Sequence, residues 1–279
     1  MASTAPIAAD TVPGSAAGTR VETFLTVAAR LSFAALLVSI AIAVVAGLGT
    51  RLGLWNYDLG LFEIFPWSLY AGVTALAFGF VWMVTAFLSG TGTGAFYGVI
   101  GFVGAFAVLW VPLDDLYLAN IAYALPPIHD ISTDTEHAPA YITTVRPGAT
   151  NPAAYDGQTK LRFGGRTYTT DTLQKLYYGE IKPYSQLGTT PAKLFKRALA
   201  AARNMGWTIV AVAPDADGGR IQATDRTLLF GLTDDIVIRV QPAGIGARVD
   251  VRSESRVGVT DFGRNAARIH AYLKRLAAT

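Results

Sequence analysis

The sequence contains no cysteine, which excludes disulfides and thiolate metal sites. Histidine is nearly as scarce: His129, His137 and His270 are the whole set. Hydrolysis of the Ser-His type needs a nucleophile beside a base, and no serine here stands in a nucleophile-elbow motif. There is likewise no phosphate-binding loop, no dinucleotide fingerprint and no CxxC pair. Charge is missing in long blocks. Residues 31–49, 66–88 and 93–111 contain no Asp, Glu, Lys, Arg or His.

Each block is long enough to cross a bilayer, whose hydrocarbon core of about 30 Å takes about 20 helical residues. Three transmembrane helices are therefore predicted within residues 25–124, after a flexible tail over residues 1–24 that is mostly Ala, Ser, Thr, Pro and Gly up to residue 20. Trp55, Tyr57, Phe62, Phe65, Trp67 and Trp110 fall near the block ends, where amphipathic rings favour the interface. Gly90, Gly94, Gly98, Gly101 and Gly104 form a row of small residues that lets helices approach closely. The row serves either to pack the three helices on one another or to meet a second copy. Arg20 and Arg30 precede the first block, and Arg51 follows it among Asp58 and Glu63. The positive-inside bias thus puts the N-terminus in the cytoplasm, and three crossings put the remainder in the periplasm of a two-membrane bacterium. The chain is then a multi-pass protein of the inner (plasma) membrane with an exported domain. Charge divides at the same place: three basic and six acidic residues up to Leu125, then 20 basic and 14 acidic. A transporter subunit is disfavoured, because charged groups inside spans mark ion and substrate paths.

Residues 125–279 read as a water-soluble α+β domain. Turn formers dominate residues 125–165, which are expected as extended chain or loop. A short helix over 171–178 and a strand over 181–186 follow. Thr190, with Pro191 at the first helical position, starts a helix. Its apolar face is Leu194, Phe195, Ala198, Leu199, Ala202 and Met205, and Gly206 ends it. Strand-like runs cover 207–213, 220–228, 235–241 and 247–255, with PDADGG and PAGIG as turns. The order strand, helix, four strands, helix is satisfied by an antiparallel sheet with helices on one face, like the TATA-binding-protein or helix-grip folds. That likeness of topology implies no DNA binding.

The most sharply patterned stretch is residues 249–265, VDVRSESRVGVTDFGRN. Alternation puts Val249, Val251, Ser253 and Ser255 on one face, against the helices, and Arg248, Asp250, Arg252, Glu254 and Arg256 on the other. Asp261 is placed to cap a helix, with Phe262, Ala266, Ile269, Leu273 and Leu276 as its buried stripe. The strings RSESRVGVTDFGRNAARI, the downstream half of RIQATDRTLLFGLTDDIVIRV, and LPPIHDISTDTE resemble the bacterial and plastid family named domain of unknown function 1499. The resemblance covers roughly residues 125–276, and three preceding spans also occur in bacterial members. It implies a fold and a membrane location, and brings no established activity or catalytic residue.

Three constellations are candidate sites. Arg220, Gln222, Thr224 and Arg226 share a sheet face with Arg239 and with Arg248, Asp250, Arg252 and Glu254, five arginines against two acids. The guanidinium fork suits carboxylate, phosphate or sulfate, which makes Arg220, Arg226, Arg239, Arg248 and Arg252 the expected ligand residues. Pairing of the same groups across strands would instead leave a solvated face. Second, His129, Asp130, Asp134, Glu136 and His137 offer imidazole and carboxylate ligands, yet their spacing matches no metal pattern, so Asp130, Ser132, Thr133 and Asp134 read as loop hydrogen-bonding groups. Third, Arg256, Asp261, Asn265 and Arg268 form a polar cluster that caps the last helix and fixes the loop before it. No metal or cofactor is expected. Nucleic acid is not expected either, because the basic excess is modest and no row of aromatics accompanies the arginines. The function expected is that of a membrane-anchored, non-catalytic cell-envelope protein whose partners are the bilayer and an anionic lipid, glycan or envelope protein. The alternative is an enzyme acting on an envelope lipid or glycan through the loop at residues 129–137.

Overall fold

Unbroken apolar sequence makes a helix that is hydrophobic all round, and the N-terminal part consists of such helices. The computed structural model describes residues 16–122 and 125–278, with side chains up to residue 110 and again from residue 125. It divides into two compact units, Met1–Asp114 and Asp115–Thr279. α1 runs Ala16–Arg51, so the tail expected over 1–24 is helical from Ala16 on; residues 1–15 lie outside the described residues. A π-helical turn, Leu59–Ile64, leads into α2, Phe65–Ser89, and α3 runs Ala95–Ala122. Among the described residues two helices rather than three are long and apolar enough to cross a membrane, α1 and the continuous Leu59–Ser89. The apolar part of α3 among the described residues, Ala95–Trp110, is shorter.

The glycine row packs these helices on one another. A Cβ on Gly98 would lie 2.2 Å from the Trp82 ring, and one on Gly101 2.2 Å from Ser32 Oγ. Ser32 and Ser39 donate to the Ala75 and Ser68 carbonyls of α2, each at 2.7 Å, so their buried hydroxyls are satisfied between helices.

The second unit is α+β. Its elements are β1 (Asp130–Ser132), β2 (Lys160–Phe163), β3 (Arg166–Thr169), α4 (Thr170–Tyr177), β4 (Tyr184–Leu187), α5 (Pro191–Asn204), β5 (Thr208–Asp215), β6 (Gly218–Arg226), β7 (Thr233–Ala243), β8 (Gly246–Ser255) and α6 (Arg264–Ala277). β5 to β8 form an antiparallel meander. On its other side β8 pairs with both β4 and β1, through residues 246–249 and 252–254. Within residues 125–165, expected as extended chain or loop, β1 thus joins the sheet, and β2 pairs with the following β3 in a separate hairpin.

Both longer helices cover one sheet face. Leu194, Phe195, Ala198 and Ala202 of α5, with Ala266, Ile269, Tyr272 and Leu276 of α6, pack on Ile221, Ile236, Ile238, Val249 and Val251. Thr190 Oγ1 accepts from the Lys193 amide and caps α5, as its position before Pro191 predicts. α6 departs from expectation at its start. Gly263 occupies its cap position in the left-handed region, and Asp261 reaches in from further back to accept from the Gly263 and Asn265 amides at 2.8 and 2.7 Å. Phe262 therefore precedes the helix, with φ of 54°, and its ring is exposed rather than part of the buried stripe.

Candidate functional site

The other sheet face is polar by alternation, and the chain does not leave it open. Residues 133–157 cross it as a strap without regular structure. Beneath the strap, register lines up three carboxylates: Asp130 of β1 stands opposite Glu254 of β8, which stands opposite Asp235 of β7. Three arginines neutralise the row. Arg252 is bidentate on Asp130, with Nε–Oδ1 2.9 Å and Nη2–Oδ2 2.8 Å, and donates on to Glu254 Oε2 at 2.9 Å and to the Ala153 carbonyl at 3.0 Å. Arg146, from the strap, meets Asp235 at 2.7 Å and Glu254 at 2.8 Å. Arg256 grips Asp235 with Nε and Nη2, both at 2.8 Å. Tyr141 donates to Glu254 at 2.8 Å, and its ring lies between the guanidinium groups of Arg146 and Arg252, 5.0 and 4.7 Å from its centroid. Such stacking favours arginine in a dry setting.

Burial governs the protonation of this cluster. It pushes the Asp130 carboxyl above its ordinary range, although Arg252 pulls it back. Burial and the nearby Asp130 raise Glu254 against the pull of Arg252 and Arg146. Burial also holds the Tyr141 hydroxyl well above its usual value, so it remains a donor.

Beside this cluster lies a second, more open one. Arg239 and Arg248 share two acids: each reaches Asp250, at 2.9 and 2.7 Å, and each reaches Asp134 Oδ2, at 3.1 and 2.8 Å. Asp134 Oδ1 meanwhile accepts from the His137 and Glu136 amides at 2.9 and 3.2 Å. Burial alone would raise Asp134, but those amides and the two guanidinium groups hold it below its ordinary value. Arg220 stands directly opposite Arg239 across β6 and β7 and donates to the Ala140 carbonyl at 3.1 Å. A shallow groove of about 310 Å³ opens over this pair, lined also by Asp215, Asp217 and Gln241. Arg226 donates to the Gly231 carbonyl at 2.9 Å, in the turn after β6.

On the helix side, Asn265 is a hub. Its amide nitrogen donates to the His129 carbonyl and Ser255 Oγ, and its oxygen accepts from Ser253 Oγ and Arg268. Arg268 also reaches Asp225 at 3.0 Å and Asp234 at 2.5 Å.

The sequence model of the family described as protein of unknown function (DUF1499) matches residues 130–276. The chain belongs to this family. No curated protein matches it. The matched DUF1499 region opens on Asp130, the first carboxylate of the row, and closes on Leu276, the last core residue of α6.

Within the DUF1499 domain the expected sites are rearranged. Arg252 is no exposed ligand residue; it is buried and fully engaged with Asp130 and Glu254. Arg239 and Arg248 are both shared between Asp134 and Asp250; of the five arginines, Arg220 and Arg239 line the groove. In the segment at residues 129–137, Asp134 spends both oxygens on amides and arginines, while Ser132 Oγ donates to the Asp134 carbonyl and Thr133 Oγ1 accepts from the Val251 amide. Among the described residues no group of three or more His, Asp or Glu is arranged to hold a metal ion. Arg256 leaves the junction cluster for Asp235 on the opposite face; Asp261, Asn265 and Arg268 stay together.

Sequence reasoning missed Asp235, Tyr141 and Arg146, and also Asn151, whose side-chain amide donates to the Ser255 and Gly258 carbonyls at 2.8 and 2.9 Å. Asp235 was within reach, since it shares strand parity with Arg239. Gln222, already placed on this face, accepts from the Ile142 and Thr143 amides, both at 2.8 Å, and so anchors the strap. Tyr141, Arg146 and Asn151 carry no local signal, because an extended segment without periodicity does not state what it will lie upon.

Proposed function

We propose that this DUF1499 protein is a membrane-anchored, non-catalytic component of the cell envelope whose domain binds an anionic group at the groove over Arg220 and Arg239. In this reading α3 makes a third crossing, the protein is multi-pass in the inner membrane, and the domain faces the periplasm. The apolar length of α1 and of Leu59–Ser89 supports the anchor. The domain itself is read as a TATA-binding-protein-like or helix-grip-like layer, supported by a helix, a four-stranded meander and a second helix on the same face.

One observation carries the binding role. Arg220 and Arg239 stand directly opposite each other and both line the groove; Asp134 and Asp250 already neutralise Arg239, so Arg220 is the residue that brings guanidinium charge to it, beside Asp215 and Asp217. A carboxylate, phosphate or sulfate in the groove would take the fork of Arg220, whether it belongs to a lipid, a glycan or an acidic envelope protein.

The test is native mass spectrometry of the detergent-extracted full-length chain, wild type and Arg220→Gln. Arg220 is the residue to change, because removing Arg239 would strip Asp134 and Asp250 of a partner. A small anionic mass retained by the wild type and lost from Arg220→Gln is expected. A bare chain in both ends the small-ligand reading, and a co-purifying protein mass lost from the variant assigns the groove to a protein partner.

A further inference from the structure

The DUF1499 domain exposes large apolar side chains at one end of its sheet. Val145, Leu228, Val259 and Phe262 are 75, 90, 74 and 51 % exposed. They belong to three segments that meet where β6 ends, β7 begins and β8 ends. The Arg256 amide donates to the Thr233 carbonyl, and the Thr150 and Asn151 amides to the Arg256 carbonyl, which ties the strap near Val145 to the other two loops. At the opposite end Leu187 and Ile245 are also exposed, 73 and 82 %, so exposure alone does not single out a surface.

Two further observations do. First, the chain enters the domain at the four-residue end: the Asp261 amide donates to the Ile128 carbonyl, the Ser255 amide to that of His129, and Leu125 lies beside Gly263. α3 ends at Ala122. Second, Phe262 is the one non-glycine residue among the described residues with positive φ. An aromatic residue is costly in that region, and such strain persists where the surroundings impose it. Here it turns outward a ring that helical spacing would have buried.

The acids at this end are paired: Asp225, its side chain 42 % exposed, lies 3.0 Å from Arg268. Asp234, Asp235 and Asp261 are engaged with Arg268, Arg146 and Arg256, and the start of α6. Arg226 and Arg264 are exposed beside the turn and Phe262.

We propose that this end of the domain dips into the headgroup region of the membrane that holds the apolar helices, with Val145, Leu228, Val259 and Phe262 as its lipid contacts. The inference rests on the reading of those helices as a membrane anchor.

Because the chain has no cysteine, single ones can be introduced as labelling sites. Full-length Leu228→Cys, Val259→Cys, Phe262→Cys and Ile245→Cys, with Val73→Cys in α2 as an anchor control, are labelled with an environment-sensitive fluorophore. They are reconstituted in vesicles of phosphatidylethanolamine and phosphatidylglycerol containing nitroxide lipids. Labels at 228, 259 and 262 are expected to lose emission to nitroxide near the headgroups and to resist aqueous iodide, with the label at 245 behaving oppositely. If all four are quenched by iodide alone while the Val73 label answers to lipid nitroxide, the domain stands clear of the bilayer and the inference fails. If the Val73 label is itself quenched only by iodide, the anchor reading fails, and the inference with it.

Discussion

Glu254 shares its two oxygens among Arg146, Arg252 and Tyr141, and with Asp130 it holds its proton above the ordinary carboxylate values of 4.5 and 3.8. A carboxyl whose folded-state value is raised binds its proton first in the folded protein, so folding gains stability as pH falls toward the unfolded value. Asp134 runs the other way: its depressed value contributes stability that is present above 3.8 and lost as pH drops through the folded value. Acidification from neutral to about pH 4.5 is therefore expected to leave the domain as stable or more so, with a loss setting in only below 3.8. Glu254→Gln should remove part of the gain. Urea titrations monitored by far-ultraviolet circular dichroism at several pH values check this. A steady loss of stability from pH 7 downward, equal in both proteins, would show that the carboxylate row does not titrate in this way.

Elements were legible in proportion to how far their own sequence states their burial. The alternation of residues 247–255 found β8 and its two faces, since one face meets α5 and α6 and the other is polar throughout. Thr190, Pro191 and Gly206 marked both ends of α5, because capping is a local act. β1 was read as loop for the opposite reason. Three residues carry no period, and its pairing partner lies more than a hundred positions downstream. Part of the ion pairing of Arg239, Arg248 and Arg252 was hidden on the same ground: it comes from Asp130, Asp134 and the strap, which alternation within the meander cannot see. Within the helical unit the glycine row gives a direct test. Gly98→Val would drive a side chain into Trp82, whose indole N–H donates to the Thr93 carbonyl at 2.9 Å. The variant is expected to lower the melting temperature of the helical unit in detergent, with Trp82 fluorescence shifting; an unchanged melt would mean that α2 and α3 do not approach there.

At the scale of the whole molecule, the two units are built by different means, one from apolar helices joined through glycines and serine hydroxyls, the other from a sheet with a dry face and an ion-paired face. Calorimetry of the full-length chain in detergent is expected to show two separate transitions, the mixed α/β one alone being sensitive to pH. One transition with a single pH dependence would mean that the units unfold together. The place of β8 carries a consequence for how the domain comes to be made. It is the last strand in the chain, yet both β1 and β4 have it as their sheet partner, and Arg252 and Asp130 are 122 residues apart in sequence. Contacts of such separation are slow to form. The first strand must therefore wait, its backbone groups unpaired, until nearly the whole domain has been synthesised. A chain cut short before residue 246 would lose not one strand but the entire edge on which the domain closes.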